Sequence, residues 1–253
     1  MSESSQLRLL TYNILRGGAG RERQLADVIN AHAPDIVVFQ EATRPRTIER
    51  IAALTEMPTF GSAYGRSLAF ASRVPIAEYR WVRPRFSQHA FLELVPREFD
   101  VRIFGVHLSA VHAAWTEARR VRELRSLLAA IQQHDASRHI VVGDFNTLAP
   151  NEQLDVSKLP LRLRLLVWLS GGRIRWQTVA IMLGAGYVDG YRLFHETDTG
   201  FTFPTRDPHV RLDYAFPSKA WATELLSCDV VRTPDAAHDA SDHYPLCAVL
   251  RVN

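Results

Sequence analysis

The sequence predicts an α/β (α+β) chain folded as a four-layer α/β/β/α sandwich, with two sheets packed face to face and helices outside them. Three observations predict it. Short β-rich runs outnumber longer amphipathic ones. The first three runs alternate as strand, helix, strand. The 253 residues, 47% of them hydrophobic, suffice for the core of one large domain, placed at residues 1–253.

In order along the chain, "LRLLTYNIL" reads as a strand, "RERQLADVINAHA" as a helix with apolar residues at 25, 28 and 29, and "DIVVFQE" as a buried strand. "RTIERIAALTE" fits a second helix. "SLAFAS", "IAEYRWV", "AFLELVP" and "VRIFGVHL" follow as successive strands with turn residues between them, which favours antiparallel pairing. A long helix then runs from Trp115 to His134, with Val121, Leu124, Leu127, Leu128 and Ile131 on one face. It leads into "IVVGDFNTLAP", a buried strand ending in a turn. "YVDGYRLF", "RLDYAFP", "LLSCDVVRT" and "PLCAVLRV" read as the remaining strands. Residues 157–185 form a candidate helical insertion, in which "KLPLRLRLLVWLSGG" reads as a short basic, apolar helix punctuated by Pro160 and by Gly171-Gly172.

A formal charge of +3 and a pI near 9.1 permit a polyanionic or phosphate-bearing partner without requiring one. The N-terminal stretch "MSESSQLRLLTYNIL" lacks the basic-then-apolar order of a secretory signal, and no run approaches the roughly 18 apolar residues of a membrane span. A cytoplasmic location is therefore expected. Cys228 and Cys247 are expected as reduced, buried thiols without chemistry.

Polar residues interrupt or end the strands: Asn13, Glu41, His107, Asp144 and Asn146, Asp213, and the Asp242-His243 pair. Taken singly, an Asp after a strand is a turn former and a His beside Leu is a satisfied core residue. As a set they carry more, because strand ends in a two-sheet sandwich converge on one rim. Carboxylates without a thiolate or a His-x-x-x-His pair suit a hard, oxygen-ligated cation such as Mg²⁺ or Mn²⁺, with Ca²⁺ as an alternative. The expected chemistry is metal-assisted hydrolysis at phosphorus.

These residues resemble the endonuclease/exonuclease/phosphatase family: "TYNI", "QE", "GVHLS", "GDFN", "RLDYAF" and "SDH" occur in that family's order, from Asn13 to His243. The resemblance implies a DNase I-like fold of mainly antiparallel mixed sheets. It also implies a metal-dependent phosphoesterase that acts through activated water without a covalent intermediate. Residue by residue, it makes Glu41 the main metal ligand, with Asn13 beside it and Asp242 close to the metal or to a second metal position. Asp213 would orient His243, which either accepts a proton from the attacking water or holds the scissile phosphate. Asp144 would align the nucleophile, and the Asn146 amide would donate to a phosphate oxygen. His107 matches the branch that includes pancreatic-type deoxyribonucleases and sphingomyelinase-like enzymes; apurinic-site endonucleases match less well there.

One departure is that many members carry a Gly-Asn pair where "RSLAFASRVPI" has Ser67 and Leu68, so Arg66 is a candidate compensating contact to substrate, the alternative being a solvated arginine at a strand end. "RGGAG", residues 16 to 20, matches no phosphate-binding glycine motif and reads as a flexible turn near the rim. In "FTFPTRDPHVRLDY", Phe203 and Arg206 could stack a base and hold a phosphate, or the loop could simply support the site. "YVDGYR" suggests a buried structural pair of Asp189 with Arg192. The 158–176 segment could lie at a lipid surface, but packing against the domain is the preferred reading. A nucleic-acid substrate is expected, with phospholipid phosphodiesterase or small-molecule phosphatase activity as the alternative, and the chain is expected to be a monomer. A non-catalytic binding protein with the same fold ranks last, because the catalytic positions are all present.

Overall fold

The computed structural model describes residues 5–83, 89–110, 114–133, 138–153, 155–159, 161–169 and 176–252. Strand β1 (Gln6–Asn13), helix α1 (Glu22–His32) and strand β2 (Ile36–Gln40) form the expected opening unit, with β1 and β2 parallel. The order continues with α2 (Pro45–Leu54), β3 (Thr59–Gly61), β4 (Ala69–Ser72), β5 (Ile76–Val82), β6 (Phe91–Pro96), β7 (Arg102–His107), α3 (Ala114–Ile131) and β8 (His139–Asp144). It ends with α4 (Leu161–Leu169), α5 (Thr178–Gly184), β9 (Asp213–Pro217), β10 (Leu225–Val230), α6 (Ala237–Ala240) and β11 (Leu246–Arg251).

These strands make a six-stranded sheet, β10-β11-β1-β2-β4-β3, and a five-stranded sheet, β5-β6-β7-β8-β9. Each is antiparallel except for one parallel pair, β1 with β2 and β7 with β8. Both parallel pairs are joined through a helix, as a same-direction return requires. Side-chain alternation along the strands then creates three apolar layers. Leu7, Leu9, Ile36 and Val38 face Leu92, Ile103, Ile140 and Val142 between the sheets. Tyr12, Val37 and Phe39 turn outward onto Leu25 and Ile29 of α1 and Ile48 and Ile51 of α2. Phe104, Val141 and Phe216 do the same on the other sheet, against Leu124, Leu127 and Ile131 of α3 and Met182 of α5. Helix, sheet, sheet, helix is the predicted stacking.

Several sequence expectations need correction. "SLAFAS" does not pair with its successor; β4 belongs to the first sheet and the chain crosses to the second at β5. "YVDGYRLF" is no strand. Tyr187 makes one isolated bridge to Ser218, and the chain then turns at Gly190, whose N–H donates to Ala215 O at 2.9 Å. An added Cβ at Gly190 would meet that oxygen at 2.8 Å, so only glycine allows so close an approach. Asp189 forms its ion pair not with the Arg192 side chain but with buried Arg211, through contacts of 2.9 and 2.7 Å, and accepts from Arg192 N at 3.4 Å, while the Arg192 guanidinium goes to Glu152 at 2.8 Å. The short strand β3 and helix α6 have no counterpart in the sequence reading, while α4 and α5 both fall within the expected helical stretch 157–185. Pro160, Gly171, Gly172, Arg173 and Arg175 lie outside the described residues. Cys228 and Cys247 are free and buried, as expected.

Helix α4 departs most from expectation. Val167 is buried, but Leu161, Leu165, Trp168 and Leu169 are 79%, 55%, 70% and 58% exposed. The packed reading of the 158–176 segment therefore holds for Leu159, Val167 and Trp176 and fails for these four residues of α4.

Candidate active site

Pairing register places the first half of the site. His107 ends β7 opposite Asp144, which ends β8, and Asp144 lies opposite Asp213, which begins β9. One imidazole and two carboxylates thus stand in a row across three adjacent strands at one edge of the sheet. In the other sheet, Asn13 ends β1 opposite Gln40 at the end of β2, and Glu41 is the next residue. The loop between α6 and β11 supplies Asp242 and His243.

Hydrogen bonds close the two halves together. Asn13 Nδ2 donates to Asp144 Oδ2 at 3.0 Å, and Ser241 Oγ donates to Asn13 O at 2.6 Å. His243 Nδ1 donates to Asp213 Oδ2 at 2.8 Å. The Asp144 carboxylate also accepts from Asn146 N at 2.8 Å and from Asn146 Nδ2 at 2.9 Å. Asn146 holds a positive φ of 52°, one of the few non-glycine residue types that adopts this readily, and so the turn folds back on Asp144. Its second amide hydrogen goes to Leu108 O at 3.1 Å. Both Asn146 amide hydrogens are therefore engaged within the protein, and donation to a phosphate oxygen requires one of them to exchange partners.

Glu41 also has a positive φ, 55°, and its Oε2 accepts from Arg16 N at 2.6 Å. The "RGGAG" turn therefore closes onto Glu41 rather than standing free. Arg21 was not singled out in the sequence. Its guanidinium donates to the carbonyls of Ile14, at 2.8 Å, Leu15 and Ala240, tying the turn after β1 to the loop that carries Asp242 and His243.

The site's electrostatics follow from burial and from the density of acids. Burial alone would lower the His243 pKa, but Asp213, Asp144 and Asp242 outweigh it and hold the imidazolium up to about 10. Burial pushes His107 down to about 3, with His89 and His243 adding to the shift. Burial pushes Asp144 up, and Asp213 adds to the rise against the opposing effect of His243. Asp242 is likewise raised by burial, and by Glu41. The site thus pairs a protonated His243 with a neutral His107 that lies 3.9 Å from Asp144.

Among the described residues, Asp144, Asp213 and His243 bring ligand-type atoms within 4.8 Å of one another. His243 Nδ1 is already committed to Asp213, so a cation bound there would compete with that bond. Asp242 Oδ1 and Asp213 Oδ1, in contrast, are buried without a hydrogen-bond partner. Orphaned buried carboxylate oxygens are costly alone and fit a hard divalent cation.

The predicted substrate contacts are dispersed along the rim. The Phe203 ring lies 4.8 Å from that of His243. Arg206 has an 87% exposed side chain, one residue beyond Thr205, whose N–H donates to Asp242 O at 3.0 Å. Arg66 is half-buried in the turn whose Ser67 O accepts from Ala42 N at 2.9 Å, which sets it beside Glu41.

An Asp–His pair, a row of strand-end acids and a donor set suited to a divalent cation together define a hydrolase of phosphoester bonds. The chain belongs to the endonuclease/exonuclease/phosphatase family, whose model matches residues 10–243, and enzymes of this family depend on divalent metals. Its fold is similar to that of the 3′ phosphatase NExo from Neisseria bound to a product DNA hairpin, with a TM-score of 0.71, 20% identity, and 96% of this chain and 98% of that chain covered. It is also similar to an AP endonuclease from Archaeoglobus fulgidus, with a TM-score of 0.70, 19% identity and coverage of 96% and 99%. An endonuclease/exonuclease/phosphatase from Beutenbergia cavernae matches with a TM-score of 0.64, 18% identity and coverage of 98% and 72%. At these identities the likeness is one of fold. No curated protein sequence matches the chain.

Proposed function

We propose that the protein is a divalent-metal-dependent phosphodiesterase that cuts nucleic acid, DNA or RNA, by one attack of activated water. The observation that carries this reading is the row His107, Asp144, Asp213 closed by His243 at 2.8 Å from Asp213. The DNA hairpin in the similar Neisseria structure supports a nucleic-acid substrate, as does exposed Arg206 near Phe203 at the rim.

Glu41 and Asp242, with Asn13 beside them, would hold the cation, Mg²⁺ or Mn²⁺. When bound, it polarises the phosphate and lowers the pKa of water. Asp144 takes the proton of the attacking water, because its raised pKa brings it toward neutral pH, where a general base works best. His243, held protonated by three carboxylates, grips a non-bridging phosphate oxygen, which is the second of the two roles open to it from sequence. Neutral His107 donates to the phosphate or the leaving oxygen. Asn146 follows the phosphate by giving up one of its two protein acceptors.

The decisive test is a screen of single-stranded DNA, duplex DNA, RNA, and sphingomyelin and phosphatidylinositol vesicles, with and without EDTA, using wild type beside His243→Ala purified in parallel. Cleavage of nucleic acid that EDTA and the substitution both abolish is expected; equal cleavage by the two preparations marks a contaminant and defeats the reading. Metal binding gives an independent check. Calorimetric titration with Mn²⁺ is expected to show binding to wild type and none to Glu41→Ala, and identical isotherms would remove Glu41 from the cation's shell. A phospholipid substrate is the second reading, favoured by the exposed apolar face of α4.

A further inference from the structure

Helix α4 presents an arrangement that neither the core nor the catalytic rim uses. Leu161, Leu165, Trp168 and Leu169 recur at the i, i+4, i+7, i+8 spacing of one helix face, and all four are exposed. Buried Val167 lies on the opposite side, toward the body. At ~100° per residue, positions 162 and 164 fall on the two flanks of the exposed stripe, and both are arginines. The stretch 158–176 contains Lys158, Arg162, Arg164, Arg173 and Arg175 and no acid.

We infer that α4 is an in-plane docking helix for an anionic phospholipid surface. Leu161, Leu165 and Leu169 enter the boundary between headgroups and acyl chains, Trp168 sits at that boundary, and exposed Arg164 on the flank meets anionic headgroups. Among the described residues no helix is long and apolar enough to cross a membrane, so the contact lies along the surface. Other occupants fit less well. Four side chains on one nine-residue helix are few beside the roughly 20 residues a side of a stable protein interface. Leucines offer nothing to a nucleic-acid backbone, and the stripe holds one aromatic ring on which a base could stack.

The helix is also tied to the catalytic rim. Lys158, just before it, pairs with Asp207 at 2.9 Å. Trp176, beyond it, packs with Phe203 around Leu148, Val210 and Leu212. Phe203 in turn lies against His243. A surface bound by α4 therefore lies on the side of the domain that carries Asp207 and Phe203.

The test is flotation of the full chain with vesicles of phosphatidylcholine alone or of phosphatidylcholine with phosphatidylglycerol, in EDTA so that no lipid is hydrolysed. Wild type is expected to float with the anionic vesicles and not with the neutral ones. Leu165→Glu is expected to weaken that partition roughly tenfold or more, and Arg164→Glu about fivefold or more. Both variants should keep wild-type thermal unfolding and wild-type turnover of a soluble phosphodiester. Absence of flotation, equal flotation with both vesicles, or wild-type flotation by Leu165→Glu would each overturn the inference. A wild-type dimer that Leu165→Glu makes monomeric, without flotation, would reassign the face to a second copy. Loss of DNA binding by Leu165→Glu, again without flotation, would reassign it to nucleic acid.

Discussion

His243→Ala is expected to lower metal-dependent kcat by about 10²- to 10⁴-fold with little change in KM. In the proposed mechanism the imidazolium, buried and held protonated by three carboxylates, is the group that meets the charge developing on the phosphate oxygens. Asp213 fixes its ring through Nδ1, which leaves Nε2 to face the substrate. Asp213→Asn tests the same arrangement differently. It keeps the shape but removes one of the three carboxylates that hold the imidazole protonated, so His243 should lose its proton at lower pH. Activity carried by a protonated His243 then falls on the alkaline side at a lower pH in Asp213→Asn than in wild type. Measuring kcat against pH for both proteins checks this, and coincident alkaline limbs would deny the imidazolium its role.

Glu117→Ala is expected to destabilise the fold by about 3–5 kcal/mol in urea unfolding, the range for breaking a buried ion pair. Glu117 faces Arg120 at 3.0 Å and accepts from Gln177 N, Thr178 N, Thr178 Oγ1 and Thr147 Oγ1 at 2.7 to 2.9 Å. Arg120 donates onward to Ser109 O at 2.7 Å, and Glu123 accepts from Ser109 N and Oγ. The cluster therefore braces the turn after His107 and the turn after Asn146 at once, and kcat should fall along with stability. Burial alone would raise the Glu117 pKa, but Arg120 and the hydrogen bonds hold it below the ordinary 4.5. A depressed carboxylate stabilises the fold above its unfolded value, and that contribution fades as pH falls through the folded value. The gap between wild type and Glu117→Ala should accordingly narrow in acid; a gap that widened there would contradict this account.

Much of this was legible in the sequence because strands reveal themselves through alternation and the candidate site residues sit where strands stop. Asn13, His107 and Asp144 each close a run of β-branched or aromatic residues, so their place at a rim could be read before any coordinates. What escaped reading depended on side-chain partners far away in sequence. Asp189 looked like strand because its neighbours are Tyr and Val, yet Arg211 captures it and the chain turns. The Glu117 cluster does carry a sequence signal: 117 and 120 continue the same helical stripe as Leu124, Leu127 and Ile131, and charged residues on an apolar stripe announce buried pairing. The exposure of α4 could not be read, since apolar periodicity alone does not say which face meets protein.

The bonds Asn13 to Asp144 and Ser241 to Asn13 join residues 131 and 228 positions apart. The loop bearing Ser241 and His243 is held by β11, which pairs with β1 from the opposite end of the domain. No fragment emerging during synthesis carries a reactive centre, because the first strand waits for the final one. Such long-range closure slows folding. The candidate site therefore exists only in the closed domain, so phosphoester hydrolysis there waits on the pairing of β1 with β11.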